Sequence, residues 1–236
     1  MGLDIYVGSF TRYYAGRWET AAQKHAREQG LALEVLSADR PSDVVTDPEQ
    51  IRPAVLAWRD QLSQGFGANI DGLLDWDETD SAPYFTDKPA WDCYSSLLLW
   101  AAYSEHPEMR RPRDAVEDWT KDAALRRSAD PDSGTAFPHL MRNVEIWLPH
   151  DLPFVFRAPD PAGHALHFGS SLALAEELAE LNRRTWNADD AVLAQWRRDG
   201  SEHEAPLETG ARFAFAIMTE LARQAIAHRL IMKLDY

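Results

Sequence analysis

The sequence predicts a helix-rich α+β fold, one globular domain over residues 1–236, with a small and mostly antiparallel sheet. Three observations carry that expectation. Leu3, Ile5 and Val7 alternate with Asp4 and Tyr6, the period of a strand. Several longer stretches place apolar residues at helical spacing behind capping residues. Residues 143–169 break into short runs rich in β-branched and aromatic side chains, each bounded by Pro or Gly.

In chain order, the opening strand is followed by a helical pattern from about Gly16 to Gln29 that stops at Gly30. "LALEVLS" (31–37) alternates again and reads as a second strand. A helix then starts at Thr46 or Asp47, with Pro48 in its first turn and Glu49 favourable beside the positive end of the helix dipole, and it ends at Gly65. Residues 91–106 are apolar on nearly every face, as in a central buried helix, and 111–130 read as a more exposed one. "NVEIWLP", "LPFVFRAP" and "HALHFG" resemble a small antiparallel meander. Three helices finish the reading: from Ser170 or Ser171 to about Trp186, from Asn187 or Asp189 to before Gly200, and from about Leu207 to Leu230. The loop at 130–138 is the one candidate boundary, and it is too short for an interdomain linker.

Apolar content of 45% argues against disorder, and nine tryptophans favour a densely packed core or adhesive surface patches. The formal charge of −14 disfavours direct binding to nucleic acid or anionic membranes and favours a basic protein partner. Four double-arginine pairs are the only basic clusters, at 110–111, 126–127, 183–184 and 197–198. Three of them fall at predicted helix C-termini, where cations offset the dipole. A single cysteine, Cys93, excludes an intrachain disulfide and a cysteine-based zinc site. The opening residues lack the order of a signal peptide, so a reducing cytoplasm is the expected setting.

The segment "DWDETDSAPYFTDKPAWD" (75–92) concentrates the chemistry. Seven acidic residues lie between Asp71 and Asp92 against one lysine, among Trp76, Tyr84, Phe85 and Trp91. Asp75, Asp77 and Thr79 have the D-x-D-x-T spacing of haloacid-dehalogenase-like phosphatases, which places two carboxylates on one side of a strand end. The preceding "NIDGLL" is a poor buried strand and Pro83 interrupts the continuation, so the resemblance stops at the spacing. A calcium loop of the EF-hand type fails because Asp80 stands where Gly belongs and Thr86 where Glu belongs. The remaining readings are an irregular Ca²⁺ or Mg²⁺ site, a solvated loop, and an interaction surface built from aromatic anchors ringed by charge.

Other motifs are weaker. Ala173 stands where a G-x-S-x-G elbow needs glycine, which leaves Ser170 and Ser171 as helix caps. His164 and His167 would face opposite sides of a strand, His203 lies in a polar loop, and His150-Asp151 between two prolines reads equally as a catalytic pair or as turn chemistry. Neither H-E-x-x-H nor a phosphate-binding glycine loop is present, and no cofactor or metal is expected. The leading expectation is a non-enzymatic binding protein, immunity- or inhibitor-like, whose partner-binding residues are Asp75, Trp76, Asp77, Glu78, Asp80, Tyr84, Asp87, Trp91 and Asp92. The alternative is a hydrolase with a dispersed site, assisted by a divalent metal through the same stretch.

Overall fold

A computed structural model describes residues 3–31, 47–202 and 205–236. The structure is about 51% helix and 13% strand, a helix-rich α+β fold around one six-stranded sheet. In chain order the strands are β1 (Asp4–Gly8), β2 (Phe85–Asp87), β3 (Ile146–Leu148), β4 (Phe156–Pro159), β5 (Ala165–Ser170) and β6 (Ile231–Asp235). Their spatial order is β2-β1-β6-β3-β5-β4. The helices are α1 (Phe10–Tyr14), α2 (Ala21–Glu28), α3 (Pro48–Phe66), α4 (Trp91–Glu105), α5 (Ala123–Ala129), α6 (Pro138–Met141), α7 (Ser171–Arg184), α8 (Asp190–Asp199) and α9 (Leu207–His228).

The sheet is mixed, which corrects the mostly antiparallel expectation. β3 and β5 run parallel, with Ile146 opposite Phe168 and Leu148 opposite Ser170. The expected meander of residues 143–169 is also corrected, because β5 inserts between β3 and β4 instead of following β4 outward. Period-2 patterning reports which face a residue occupies and is silent about which strand lies beside it. The expected strand at 31–37 falls almost wholly outside the described residues.

Alternation decides what each face of the sheet buries. Leu3, Ile5 and Val7 of the first strand point with Met232 and Leu234 into a large helical core. Tyr6, Ile146, Leu148, Phe168 and Ile231 point the other way, into a second core rich in aromatic rings. The helical core centres on α4, whose residues Cys93 to Ala102 are all buried, packed against α9. Gly210 permits that approach, since a Cβ there would meet Cys93 Cα at 3.4 Å and Ser96 Oγ at 3.2 Å. Each fully buried leucine in such a core contributes about 1.5–3 kcal/mol by removal from water. The second core packs Phe10, Tyr14, Trp58 and Trp76 at centroid separations of 5.3 to 6.2 Å, Phe10 stacked on Tyr14 and the other contacts edge-on.

Helix caps follow the sequence closely. Asp47 accepts from the Glu49 N–H at 3.1 Å, Ser170 Oγ from Ala173 at 3.1 Å, and Asp189 from Val192 at 2.9 Å. Two helix expectations are corrected. The helix expected from Gly16 to Gln29 starts later, at Ala21, because Gly16 takes φ +67° after α1 and the Thr20–Gln23 capping box sets the first turn of α2. Residues 111–130 contain only α5 and a short 3₁₀ turn; Asp122 caps α5 from within the stretch, accepting from Ala124 and Leu125. Arg126, Arg127, Arg183, Arg184, Arg197 and Arg198 all sit in the last turns of their helices, as anticipated. Among the described residues no helix is long and apolar enough to cross a membrane.

A buried carboxyl stands where β1 begins. Asp4 lies opposite Asp235 in the β1–β6 pairing and is 7% exposed, with Lys88 Nζ 3.5 Å away. Burial pushes the Asp4 carboxyl above its ordinary value of 3.8, only partly offset by Lys88 and the Ala21 N–H. The native state therefore holds this proton more tightly than the unfolded chain. Its stabilising contribution is fully present below the ordinary value and is lost as pH rises through the raised native one. Asp4→Asn should accordingly gain stability relative to the parent chain between about pH 4 and about pH 7, read by urea unfolding at each pH; a difference that moves the other way would refute the raised native value.

Candidate functional site

The acidic segment divides into a buried half and an outer half. Glu78 is 5% exposed and makes three hydrogen bonds. Its Oε1 accepts from the Phe10 N–H at 3.0 Å and from Trp76 Nε1 at 2.6 Å, while Oε2 accepts from the Thr11 N–H at 2.7 Å. Two of these donors are the first free N–H groups of α1, whose positive end suits a carboxylate. Trp76, 3% exposed, fills the space between Phe10 and Trp58. Trp76 and Glu78 therefore belong to the interior, and the segment has turned its chemistry inward there.

Arginines of α3 and of the end of α9 meet the carboxylates of this half, and Arg12 of α1 meets its backbone carbonyls. Arg59 and Arg229 pair with Asp75 at 3.3 and 2.7 Å. Arg52 pairs with Asp80 at 2.5 Å and donates to the Glu78 carbonyl at 3.0 Å. Arg12 donates to the carbonyls of Asp80 and Ala82 at 2.8 and 2.7 Å and lies 5.0 Å from the centre of the Tyr84 ring. Arg229, in the left-handed conformation at the end of α9, also accepts the Asp77 N–H on its carbonyl. Asp77 Oδ1 accepts from Thr79. Farther along, Arg197 of α8 holds Asp87 at 2.7 Å. Three of the seven carboxylates, Asp75, Asp80 and Asp87, are thus matched by arginines distant in the chain, and residues 72–78 form no strand such as D-x-D-x-T chemistry requires.

The outer half points elsewhere. Trp91 opens α4, half-buried, and meets the Tyr236 ring edge-on at 5.1 Å. Tyr236 is 63% exposed and its hydroxyl donates to Glu145 Oε1 at 2.6 Å. Burial of the ring's inner side, followed by that bond to Glu145, lifts the tyrosine to about 12. Asp92 follows, its carboxylate accepting the Cys93 N–H at 3.0 Å. The chain enters this site through Ala90 at φ +63° and ψ +157°, a region that only glycine occupies without strain. Tyr236 and Glu145 were not identified from sequence. They lie about 145 and 55 positions from Trp91, and only the pairing of β6 with β1 and β3 brings them near.

A second buried titratable pair is structural. His139 Nδ1 lies 2.7 Å from Glu177 Oε1, and the Glu177 carboxylate also accepts the N–H groups of His139 and Leu140 at 2.9 Å. Burial raises the Glu177 carboxyl and the His139 contacts lower it, with burial the larger effect. His139 is 3% exposed and Ser171 fully buried, so both are sealed from substrate. Cys93, also buried, has its thiol pushed up to about 11 by desolvation, which suits a packing residue and not a nucleophile. Among the described residues no three His, Cys, Asp or Glu side chains converge as a metal site, and His203 lies outside them. Comparisons with protein families, curated proteins and solved structures gave no match to this chain.

The division of labour is open to measurement. Glu78→Ala leaves three buried donors without a partner, and should cost about 2–4 kcal/mol at the urea midpoint. Asp75→Asn and Asp80→Asn break solvent-exposed ion pairs and should cost under about 1 kcal/mol each. Ala90→Gly should stabilise by roughly 1 kcal/mol through relief of backbone strain. Equal costs for Glu78→Ala and Asp80→Asn would contradict the inward role of Glu78.

Proposed function

We propose that this chain is a non-enzymatic binding protein that takes a basic protein partner on an acidic, aromatic surface, in the manner of an immunity or inhibitor protein. The observation that carries the reading is the Trp91–Tyr236 pair, an edge-to-face aromatic contact at the surface beside the carboxylates of Asp92 and Glu145. Tryptophan and tyrosine supply large contact areas at small entropic cost, and their faces attract Lys and Arg side chains. The strained entry at Ala90 fixes where Trp91 begins its helix, as expected where position matters more than stability. The net charge of −14 adds a long-range field that speeds encounter with a basic partner. Asp75, Asp80 and Asp87 contribute to that field while paired with arginines, and Trp76 and Glu78 support the loop from within.

Capture of basic proteins by the immobilised chain, followed by titration of the captured protein at low and high salt, tests the reading. Binding should weaken steeply with salt, and Trp91→Ala should lower affinity at least about tenfold, roughly 1.4 kcal/mol. Tyr236→Phe, which keeps the ring and loses the Glu145 bond, should have a smaller effect. A partner of acidic character, or affinity indifferent to both salt and Trp91→Ala, would end this proposal. The alternative, a hydrolase assisted by a divalent ion, requires Mg²⁺, Mn²⁺, Ca²⁺ or Zn²⁺ to raise the melting temperature of the native chain.

A further inference from the structure

We infer that Asp71-Gly72 is a site of spontaneous aspartate isomerisation, and that the isoaspartate formed there is a substrate for carboxyl methylation by a sulfonium methyl donor. Both residues are exposed, and residues 70–74 belong to no helix or strand. Among the described residues neither the Asp71 carboxylate nor the Gly72 N–H meets a hydrogen-bonding or ionic partner. Gly72 takes φ +79°, and a Cβ built on it would meet nothing within 4 Å, so its nitrogen is uncrowded. The chain is fixed on either side: Ile70 and Leu74 are 8% and 3% exposed, and the Leu74 N–H donates to Ser63 Oγ at 2.8 Å. Residues 71–73 are the bridge between these anchors, with Leu73 at 76% exposure.

The isomerisation needs no partner beyond water. The Gly72 nitrogen attacks Cγ of the protonated Asp71 carboxyl; a C–N bond forms, a C–O bond breaks, and the hydroxyl leaves as water with the amide proton. The product is a cyclic imide spanning Asp71 and Gly72. Water then adds to the former main-chain carbonyl of Asp71, the bond from that carbon to nitrogen breaks, and a proton returns to the nitrogen. The chain now runs through Cβ and Cγ, and the old carbonyl carbon is left as a free carboxylate. Nothing is oxidised or reduced, and the mass is unchanged. Methylation follows when that carboxylate takes the methyl group of S-adenosylmethionine, the C–S bond breaking as the C–O bond forms. An exposed loop between buried anchors gives a methyltransferase access to it.

Asp-Gly occurs at 71–72 and again at 199–200, and the structure separates the two. Asp199 closes α8, where its carboxylate accepts from the Gln195 side chain. Helical backbone also tilts its Cβ toward the start of α8, away from the Gly200 nitrogen. The Asp-Ser pairs at 80–81 and 132–133 are held as well. Asp80 is engaged by Arg52 at 2.5 Å, and the Ser133 N–H donates to the Asp130 carbonyl at 2.9 Å. The unrestrained geometry falls to Asp71, and it does not depend on the Trp91–Tyr236 reading.

The test ages the intact native chain in warm, mildly acidic buffer and then treats it with an isoaspartate-selective methyltransferase and S-adenosylmethionine carrying a labelled methyl group. Peptide digestion maps the label. Isoaspartate should accumulate at residue 71 at least about tenfold faster than at residue 199, because α8 must open before Asp199 can react. The aged chain should also resist a protease that cleaves before aspartate at position 71. In urea, where no helix protects Asp199, the two sites should isomerise at similar rates. Asp71→Glu, whose longer side chain would have to close a larger ring, should remove the label at 71 and leave the melting temperature unchanged. Absence of label at residue 71 in the native chain, equal native rates at 71 and 199, a gap that persists in urea, or label surviving Asp71→Glu would overturn the proposal.

Discussion

A carboxylate without water is tolerable only when its surroundings supply donors in its place, and Glu78 is placed so that three do. Much of the aromatic side of the molecule hangs on this constraint. By taking the first N–H groups of α1 and the Trp76 indole together, Glu78 ties residues 75–80 to the helix that follows β1. Once that loop is fixed, Asp75 and Asp80 fall within reach of Arg59, Arg229 and Arg52. The outer ion pairs are consequences of the loop's position more than its cause, because exposed pairs contribute too little to hold a segment by themselves.

Charge counted along a sequence and charge presented to a partner are different quantities here. The segment from Asp71 to Asp92 looks like a concentrated anionic site because its neighbours in the chain are uncharged or acidic. In space its neighbours are arginines from α1, α3, α8 and the end of α9. The net charge is unaltered by such pairing, so the distant field remains anionic while the local one is softened. On the binding function proposed above, long-range attraction and close-range recognition would fall to separate parts of the molecule. The field belongs to the whole chain, whereas the proposed contact rests on the rings of Trp91 and Tyr236.

The local features of this fold were legible in the sequence and the relational ones were not. Asp47, Ser170 and Asp189 announced their helices because capping is a matter of two or three residues. The first strand was readable from its period of two, and the buried α4 from an apolar run too long for a strand. By contrast, "IMKLD" at 231–235 lies beyond the expected helix end at Leu230 and carries no strand assignment from sequence, since no Gly or Pro separates it from α9 and the break is made by Arg229 in a left-handed turn. β2 has three residues and an edge position, too short to show a period. Within the candidate site, Trp91 and Asp92 could be named, whereas Tyr236 and Glu145 could not, because strand order is what joins them. Arg52 and Arg59 offered one missed signal: they lie two turns apart on α3 and so share a face.

The sheet's central strand carries a consequence for how the chain reaches its native state. β6 sits between β1 and β3, and its register puts Asp235 opposite Asp4. Two of the pairings that unite the sheet thus wait for residues made more than two hundred positions after the first strand. Contacts of such separation are slow to form, because loop closure must precede any gain from pairing. During synthesis β1 emerges with both edges unsatisfied, one until β2 is made and the other until β6 is, and with Tyr6 and Ile5 exposed on its two faces. Its second edge therefore stays open to wrong pairing until the last residues of the sheet arrive.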